Sequence, residues 1–138
     1  MILLPRKINY KKQQKGKAIN KINKTLNISI LKQGSFYLRV TESGRITSKQ
    51  LETLYQSINK YIKKTGKIVL KVFPHTPITK KPIEVRMGKG KGNVSLWVAK
   101  IKAGTIICEV ISKFTSNTIK ALVYAKQKLP LKTKICNH

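Results

Sequence analysis

The sequence predicts an α+β fold: mainly an antiparallel sheet sandwich with two helices, a basic N-terminal extension and a long basic Pro/Gly loop. An amphipathic helical pattern lies between Thr47 and Thr65, and several short apolar runs are separated by turn residues. Short links between most of these runs favour antiparallel pairing. The chain has 138 residues, 41% of them apolar, which is enough for one modest core. We expect an extension over residues 1–26 and a single domain over 27–138, with the loop at 74–93.

The first half of the domain is predicted to hold two strands and the stronger helix. The runs NISILK and SFYLRV between residues 27 and 40 are typical of strands joined by a turn at Gln33-Gly34. Thr47 and Gln50 have the spacing of a capping box, and Gly66 is placed to end the helix. One helical face carries Leu51, Leu54, Tyr55, Ile58, Tyr61 and Ile62. We interpret its aromatic residues as core.

The second half begins with a strand over 67–73, which leads into the long loop. Residues 94–101 and 105–111 are predicted to form a hairpin across Lys102-Ala103-Gly104, with Trp97 buried in the sheet.

A second helix is expected after those strands. It would be capped by Ser116 or Asn117, run to about Lys128 and stop before Pro130. Its apolar face is Ala121, Leu122, Ala125 and Leu129, and residues 131–136 could add a last strand.

The charge balance indicates the class of partner. Thirty Lys and Arg face four Asp and Glu, a formal net charge of +26. Net charge informs binding partners rather than fold, and a dense polyanion is the expected partner. A membrane surface is the alternative, but a membrane binder concentrates its lysines on one amphipathic helix. Here the lysines run from residue 7 to residue 134, which favours nucleic acid.

Nothing in the sequence indicates catalysis, a metal or a cofactor. The acids are the scattered Glu42, Glu52, Glu84 and Glu109, so paired carboxylates for acid–base chemistry are missing. GKGKGN lacks the G-x-x-x-x-G-K-[ST] spacing of a phosphate-binding loop. The two cysteines, Cys108 and Cys136, are not in a C-x-x-C pair, and we interpret both as small buried strand residues.

Two segments concentrate the positive charge. The first is the extension, whose basic residues are Arg6, Lys7, Lys11, Lys12, Lys15, Lys17, Lys21 and Lys24. Fully extended, residues 5–26 could span about 70 Å, several times the roughly 14 Å radius of a domain of this size. Such a tail can thread into folded RNA.

The second segment is the loop. Pro74, Pro77 and Pro82 stiffen its path. Near its tip three glycines alternate with Lys89 and Lys91. Glycine lets backbone approach a ligand closely, while Arg86 supplies a planar fork suited to phosphate or a base edge.

The loop sequence PITKKPIEVRMGKGKGNVSLWVA closely resembles the signature of the universal large-subunit ribosomal protein sixteen, the bacterial L-sixteen family. The opening PRKINYKKQQKGK, the segment SGRITSKQLETLYQSINKYIKKTGKIVLKVFP and the ending KLPLKTKI are also similar to that family. The resemblance covers nearly the whole chain. The chain departs from bacterial relatives at His75, where an acid is usual, at Gln14, where many have histidine, and in a tail with fewer arginines.

The resemblance implies a structural, non-enzymatic protein bound to large-subunit rRNA. Its neighbours would be A-site tRNA, the peptidyl transferase centre and other large-subunit proteins. The expected RNA-binding residues are Arg6, Lys7, Lys11, Lys12, Lys15, Lys17, Lys80, Lys81, Arg86, Met87, Gly88, Lys89, Gly90, Lys91 and Gly92. Because the tail departs from the bacterial pattern, a mitochondrial ribosome is preferred, with a plastid or bacterial cytoplasm as alternatives. The competing function is a free-standing RNA-binding or RNA-chaperone factor.

Overall fold

The computed structural model describes residues 3–16, 35–63, 65–112 and 115–137, in which two helices and seven strands form two antiparallel sheets. In chain order the elements are β1 (Phe36–Val40), β2 (Gly44–Thr47), α1 (Ser48–Ile62), β3 (Gly66–Leu70), β4 (Thr76–Lys80), β5 (Asn93–Ile101), β6 (Ile106–Ser112), α2 (Thr115–Lys126) and β7 (Thr133–Asn137). One sheet has the order β3-β6-β1-β7 and the other β2-β5-β4. The predicted α+β class is confirmed.

A single apolar cluster joins both sheets and both helices. Leu38 and Ile107 enter it from the four-stranded sheet, Ile46 and Ala99 from the three-stranded sheet, and all are almost fully buried. The helices pack against each other, with Ala121 of α2 in the same cluster. The helices therefore cover a core that both sheets share, and neither sheet forms a separate unit.

The helix α1 forms for the local reasons that the sequence indicates. The backbone N–H of Gln50 donates to Thr47 Oγ1 at 3.3 Å, and the N–H of Thr47 donates to Gln50 Oε1 at 2.9 Å, so the capping box is confirmed. The buried face is Leu51, Leu54, Ile58 and Ile62, as the periodicity predicts. The prediction that the tyrosines of this face belong to the core is wrong. Tyr55 is only half-buried, and Tyr61 is 40% exposed.

The end of α1 also differs from the prediction. The helix stops at Ile62, and Lys63, with φ of 46°, makes the reversal expected of Gly66. Gly66 instead begins β3, where a Cβ atom would come within 2.6 Å of the carbonyl oxygen of Ile111. The glycine is needed for close packing between β3 and β6, not for the helix terminus. The strand is also shorter than the predicted 67–73, since it ends at Leu70.

The hairpin predicted from residues 94–101 and 105–111 is wrong in its pairing, although both strands exist. Strand β5 pairs with β2 and β4, whereas β6 pairs with β1 and β3 in the other sheet. The turn between β5 and β6 is hydrogen-bonded to the end of β1. The N–H of Gly104 donates to the Val40 carbonyl at 2.7 Å, and the N–H of Val40 donates to the Thr105 carbonyl at 2.9 Å.

The predicted loop at 74–93 contains the short strand β4, so its irregular parts are residues 74–75 and the longer stretch 81–92. The prolines of this segment favour a loop, so the sequence did not predict the strand. Pro77 lies in β4 opposite Trp97, and β4 is at the edge of its sheet, where the missing N–H of proline is tolerated. Trp97 is half-buried rather than buried in the sheet.

Strand β2 was not predicted from the sequence, whereas the second helix and the last strand were. The second helix buries Ala121, Leu122 and Ala125, although it starts at Thr115 and ends at Lys126, and β7 provides the last strand. The strand predicted in NISILK, its turn at Gln33-Gly34 and the boundary at residue 26 lie outside the described residues and stay predictions.

Candidate nucleic-acid interface

The loop at 81–92 projects its side chains into solvent between β4 and β5. Met87 is 101% exposed and Ile83 96%, and Arg86 and Lys89 are exposed beside them. Three consecutive residues at the tip have positive φ: 105° at Gly88, 49° at Lys89 and 82° at Gly90. A lysine in this region carries some strain, whereas the glycines on either side adopt positive φ readily.

The three glycines of the loop have different roles. A Cβ atom on Gly92 would come within 2.7 Å of the Lys80 carbonyl oxygen, so this glycine lets the base of the loop close. At Gly88 and Gly90 an added Cβ would meet nothing within 4 Å. The tip therefore has open space in front of its backbone, and positive φ is what favours glycine there.

The N-terminal extension begins with an apolar anchor. Leu3 is 6% exposed and belongs to the core cluster, and its backbone N–H donates to the Glu52 carboxylate at 2.9 Å. The residues after this anchor are mostly exposed, and Tyr10 is 78% exposed. Residues 3–16 thus start on α1 and lie against the domain instead of leaving it at once.

The extension and the loop contact each other through reciprocal lysine hydrogen bonds. Lys12 Nζ donates to the Lys91 carbonyl at 2.8 Å, and Lys91 Nζ donates to the Gln13 carbonyl at 2.7 Å. Within the loop, Lys81 Nζ donates to the Gly88 carbonyl. We call this arrangement the lysine clasp. An ammonium group has three donors, so each of these lysines keeps donors for a phosphate.

A pair of cations on the three-stranded sheet extends the same surface. Arg45 of β2 lies directly opposite Lys100 of β5, and like charges at such positions destabilise a sheet. The extension passes over them: Arg45 Nη2 donates to the Gly16 carbonyl, and a Cβ atom on Gly16 would lie 3.1 Å from Lys100 Nζ. The Arg45 Nε is buried and has no acceptor among the described residues. Donors and positive charge therefore exceed the acceptors around them.

Three of the four acids are used inside the domain. Glu109, almost fully buried, pairs with Lys71 at 3.0 Å. Glu42 accepts a hydrogen bond from the Lys132 backbone N–H at 2.9 Å, and Glu52 holds Leu3. The fourth acid, Glu84, is exposed in the loop. The basic surface is consequently almost unopposed.

The structure brings the two predicted groups of basic residues together. Of the extension residues, Arg6, Lys7, Lys11, Lys12 and Lys15 are exposed, and Lys17 lies outside the described residues. Of the loop residues, Lys80, Arg86, Met87, Gly88, Lys89, Gly90 and Lys91 are exposed, and Lys81 and Gly92 are half-buried at its base. Arg45 and Lys100 are not among the residues predicted from the sequence. Only the strand register reveals them, because they are far apart in the chain.

The two cysteines and His75 lie in different environments. Burial raises the pKa of the Cys108 thiol to about 12, so this cysteine is an inert core residue, as predicted. Cys136 is only half-buried, which differs from the prediction. His75 is exposed, and its Nδ1 lies 3.2 Å from the Phe73 carbonyl oxygen. No three His, Cys, Asp or Glu side chains cluster within the described part of the chain.

The lysine clasp predicts that the loop base and the extension move together. Lys12→Ala removes one of the two reciprocal hydrogen bonds, so we expect faster amide exchange at residues 9–16 and 89–92 with little change in the free energy of unfolding. Exposed hydrogen bonds of this kind contribute about 1 kcal/mol or less. Lys11→Ala is the matched control, and hydrogen exchange of the free protein is the measurement. Equal exchange in the two variants would contradict the clasp.

These features define a class: a small α+β protein whose basic extension and basic loop contact each other. The chain matches the family model "Ribosomal protein L16p/L10e" over residues 5–136, so it belongs to that family and is a ribosomal protein with a structural role. It is 46% identical over 134 residues to a protein of Euglena longa named "Large ribosomal subunit protein uL16c", covering 97% of each chain. No helix in the described residues is long and apolar enough to cross a membrane.

Proposed function

We propose that this protein is a structural constituent of the large ribosomal subunit and binds its rRNA through the joined surface of the extension and the loop. The observation that carries the proposal is the contact between these segments at the lysine clasp. Family membership over residues 5–136 supports it, and it disfavours the alternative of a free-standing RNA-chaperone factor. A structural ribosomal protein needs no catalytic site.

Phosphate contacts supply the affinity in this proposal. Each lysine or arginine that neutralises a phosphate releases condensed counterions, which favours binding at low salt. Two of the exposed cations, Lys12 and Lys91, are held where the extension meets the loop by hydrogen bonds to backbone carbonyls. Pre-organising charged side chains in this way reduces the entropy lost when RNA binds.

The loop tip is proposed to lie against rRNA near the acceptor end of the A-site tRNA and the peptidyl transferase centre. Arg86 can donate a pair of hydrogen bonds to a phosphate or a base edge, whereas Lys89 supplies a compact charge. The open space in front of Gly88 and Gly90 allows nucleic acid to approach the backbone closely. The role of the tip would then be to support subunit maturation and tRNA accommodation.

We propose a plastid ribosome as the location. The relative from Euglena longa carries the suffix used for plastid ribosomal proteins and aligns over 97% of both chains. The preference for a mitochondrion rested on the departure of the tail from bacterial sequences. The departure of the tail from bacterial sequences does not distinguish a plastid ribosome from a mitochondrial one. A relative with a plastid-type name aligns with nearly the whole chain, and the tail is included in that alignment.

Sedimentation and mass spectrometry test this proposal together. Organelles are separated, and plastid and mitochondrial ribosomes are each divided into subunits on a sucrose gradient. We expect peptides of this protein in the large subunit of plastid ribosomes at one copy per rRNA. Its recovery mainly in free fractions would overturn the ribosomal function, and its recovery in mitochondrial large subunits would overturn only the location.

A further inference from the structure

Two tyrosines form an exposed stack between the helices. The Tyr61 ring of α1 and the Tyr124 ring of α2 have centroids 5.1 Å apart and planes inclined by 6°. Tyr61 is 40% exposed and Tyr124 is 49% exposed. Single exposed apolar side chains are common on protein surfaces, but two aromatic rings in contact expose one continuous aromatic surface. The packing of the core does not require it, because α1 and α2 bury other side chains there.

This tyrosine pair and the Leu3 anchor of the extension lie on different sides of α1. Glu52 holds the start of the extension on α1. Tyr61 follows Glu52 by nine residues, which is about two and a half turns of an α-helix. The two side chains therefore leave the helix on opposite flanks. An RNA contact at the tyrosine pair would be a second contact, distinct from the first.

The charges around the tyrosine pair are all positive along both helices. Lys120 precedes Tyr124 by four residues, so the two share a face of α2. Lys60 is exposed next to Tyr61. The sequence of α2 contains no acid, and α1 contains none after Glu52. Partial burial raises the pKa of Tyr61, and the neighbouring Tyr124 phenol raises it further.

We propose that Tyr61, Tyr124 and Lys120 form a second RNA-binding surface, on which an unpaired rRNA base stacks against tyrosine while the lysine contacts a neighbouring phosphate. This inference rests on the proposed function, since it assumes that the partner is rRNA. Aromatic side chains bind unstacked bases of any sequence through their π faces. The positive charges favour RNA over a protein partner, which would need a matching acidic surface.

The test separates stacking from charge by their dependence on salt. Tyr61→Leu combined with Tyr124→Leu removes the rings, and the matched pair Tyr61→Phe with Tyr124→Phe keeps them. With fragments of plastid large-subunit rRNA, we expect the leucine variant to bind roughly five- to 100-fold more weakly with an unchanged salt slope. The phenylalanine variant should bind like the wild type. Lys120→Ala should lower the slope of log K against log salt by about 0.7–0.9.

Ultraviolet crosslinking of wild-type large subunits gives a readout that does not depend on the folding of a variant. We expect Tyr61 or Tyr124 in peptides crosslinked to nucleotides. Crosslinks from both tyrosines to a neighbouring protein, or wild-type affinity of a folded leucine variant, would overturn the second surface. If the protein were present in large subunits but the tyrosine pair neither crosslinked to RNA nor affected RNA affinity, only this inference would fail. Its absence from large subunits would remove the proposed function as well.

Discussion

Replacing Arg86, Lys89 and Lys91 together with alanine is expected to produce the largest loss of RNA binding. If each contacts a phosphate, the slope of log K against log salt should fall by about 2–3, since each contact contributes roughly 0.7–0.9. Folding should be spared, because all three side chains are exposed. In ribosomes, the variant should slow subunit maturation or the accommodation of A-site tRNA.

A matched control variant distinguishes the contribution of the loop tip to RNA affinity from the effect of total charge. Lys102, Lys128 and Lys134 are exposed lysines outside the extension and the loop, and their joint replacement removes the same charge. Salt titrations with the same rRNA fragment should show a smaller change of slope for this control. Equal changes in both variants would mean that total charge, not the loop tip, determines the affinity.

Substituting lysines of the extension tests its RNA contacts without the loss of stability that a deletion would cause. A deletion of residues 1–24 removes Leu3, which is part of the core cluster, so lost stability would be confused with lost RNA contacts. Lys7, Lys11 and Lys15 are exposed, and their replacement by alanine leaves the Leu3 anchor in place.

The largest effect on stability is expected from the buried face of α1. Leu54→Ala or Ile58→Ala should lower the free energy of unfolding by about 2–5 kcal/mol, because each removes a fully buried side chain from the core. The cavity would open in the core cluster that the sheets and helices share. Denaturant unfolding of the free protein is the measurement.

Lys60→Ala provides the surface control on the same helix. Lys60 is exposed, so its replacement should change the free energy of unfolding by no more than about 0.5 kcal/mol. If Lys60→Ala destabilised the domain as much as Leu54→Ala, the assignment of the buried face would be wrong.

Much of the candidate site could be predicted from local sequence. The basic residues before residue 17 and the glycine-flanked lysines of the loop can be read from the sequence without any structure, and most of them are exposed. Two features could not be predicted. The lysine clasp joins residues 79 and 78 positions apart, and the pair of Arg45 with Lys100 depends on the register of β2 against β5.

By itself, the sequence determined the α+β class, the start of α1, its buried aliphatic residues and the position of α2, and it indicated a polyanion as partner. These follow from hydrogen bonds three residues apart, from helical periodicity and from a charge of +26. Only the tertiary structure decided that β5 and β6 lie in different sheets, that Gly66 serves strand packing, and that Tyr61 stacks on Tyr124 at the surface. The physical reason is that strand pairing and side-chain exposure depend on residues distant in the chain, whereas local patterns report only on near neighbours.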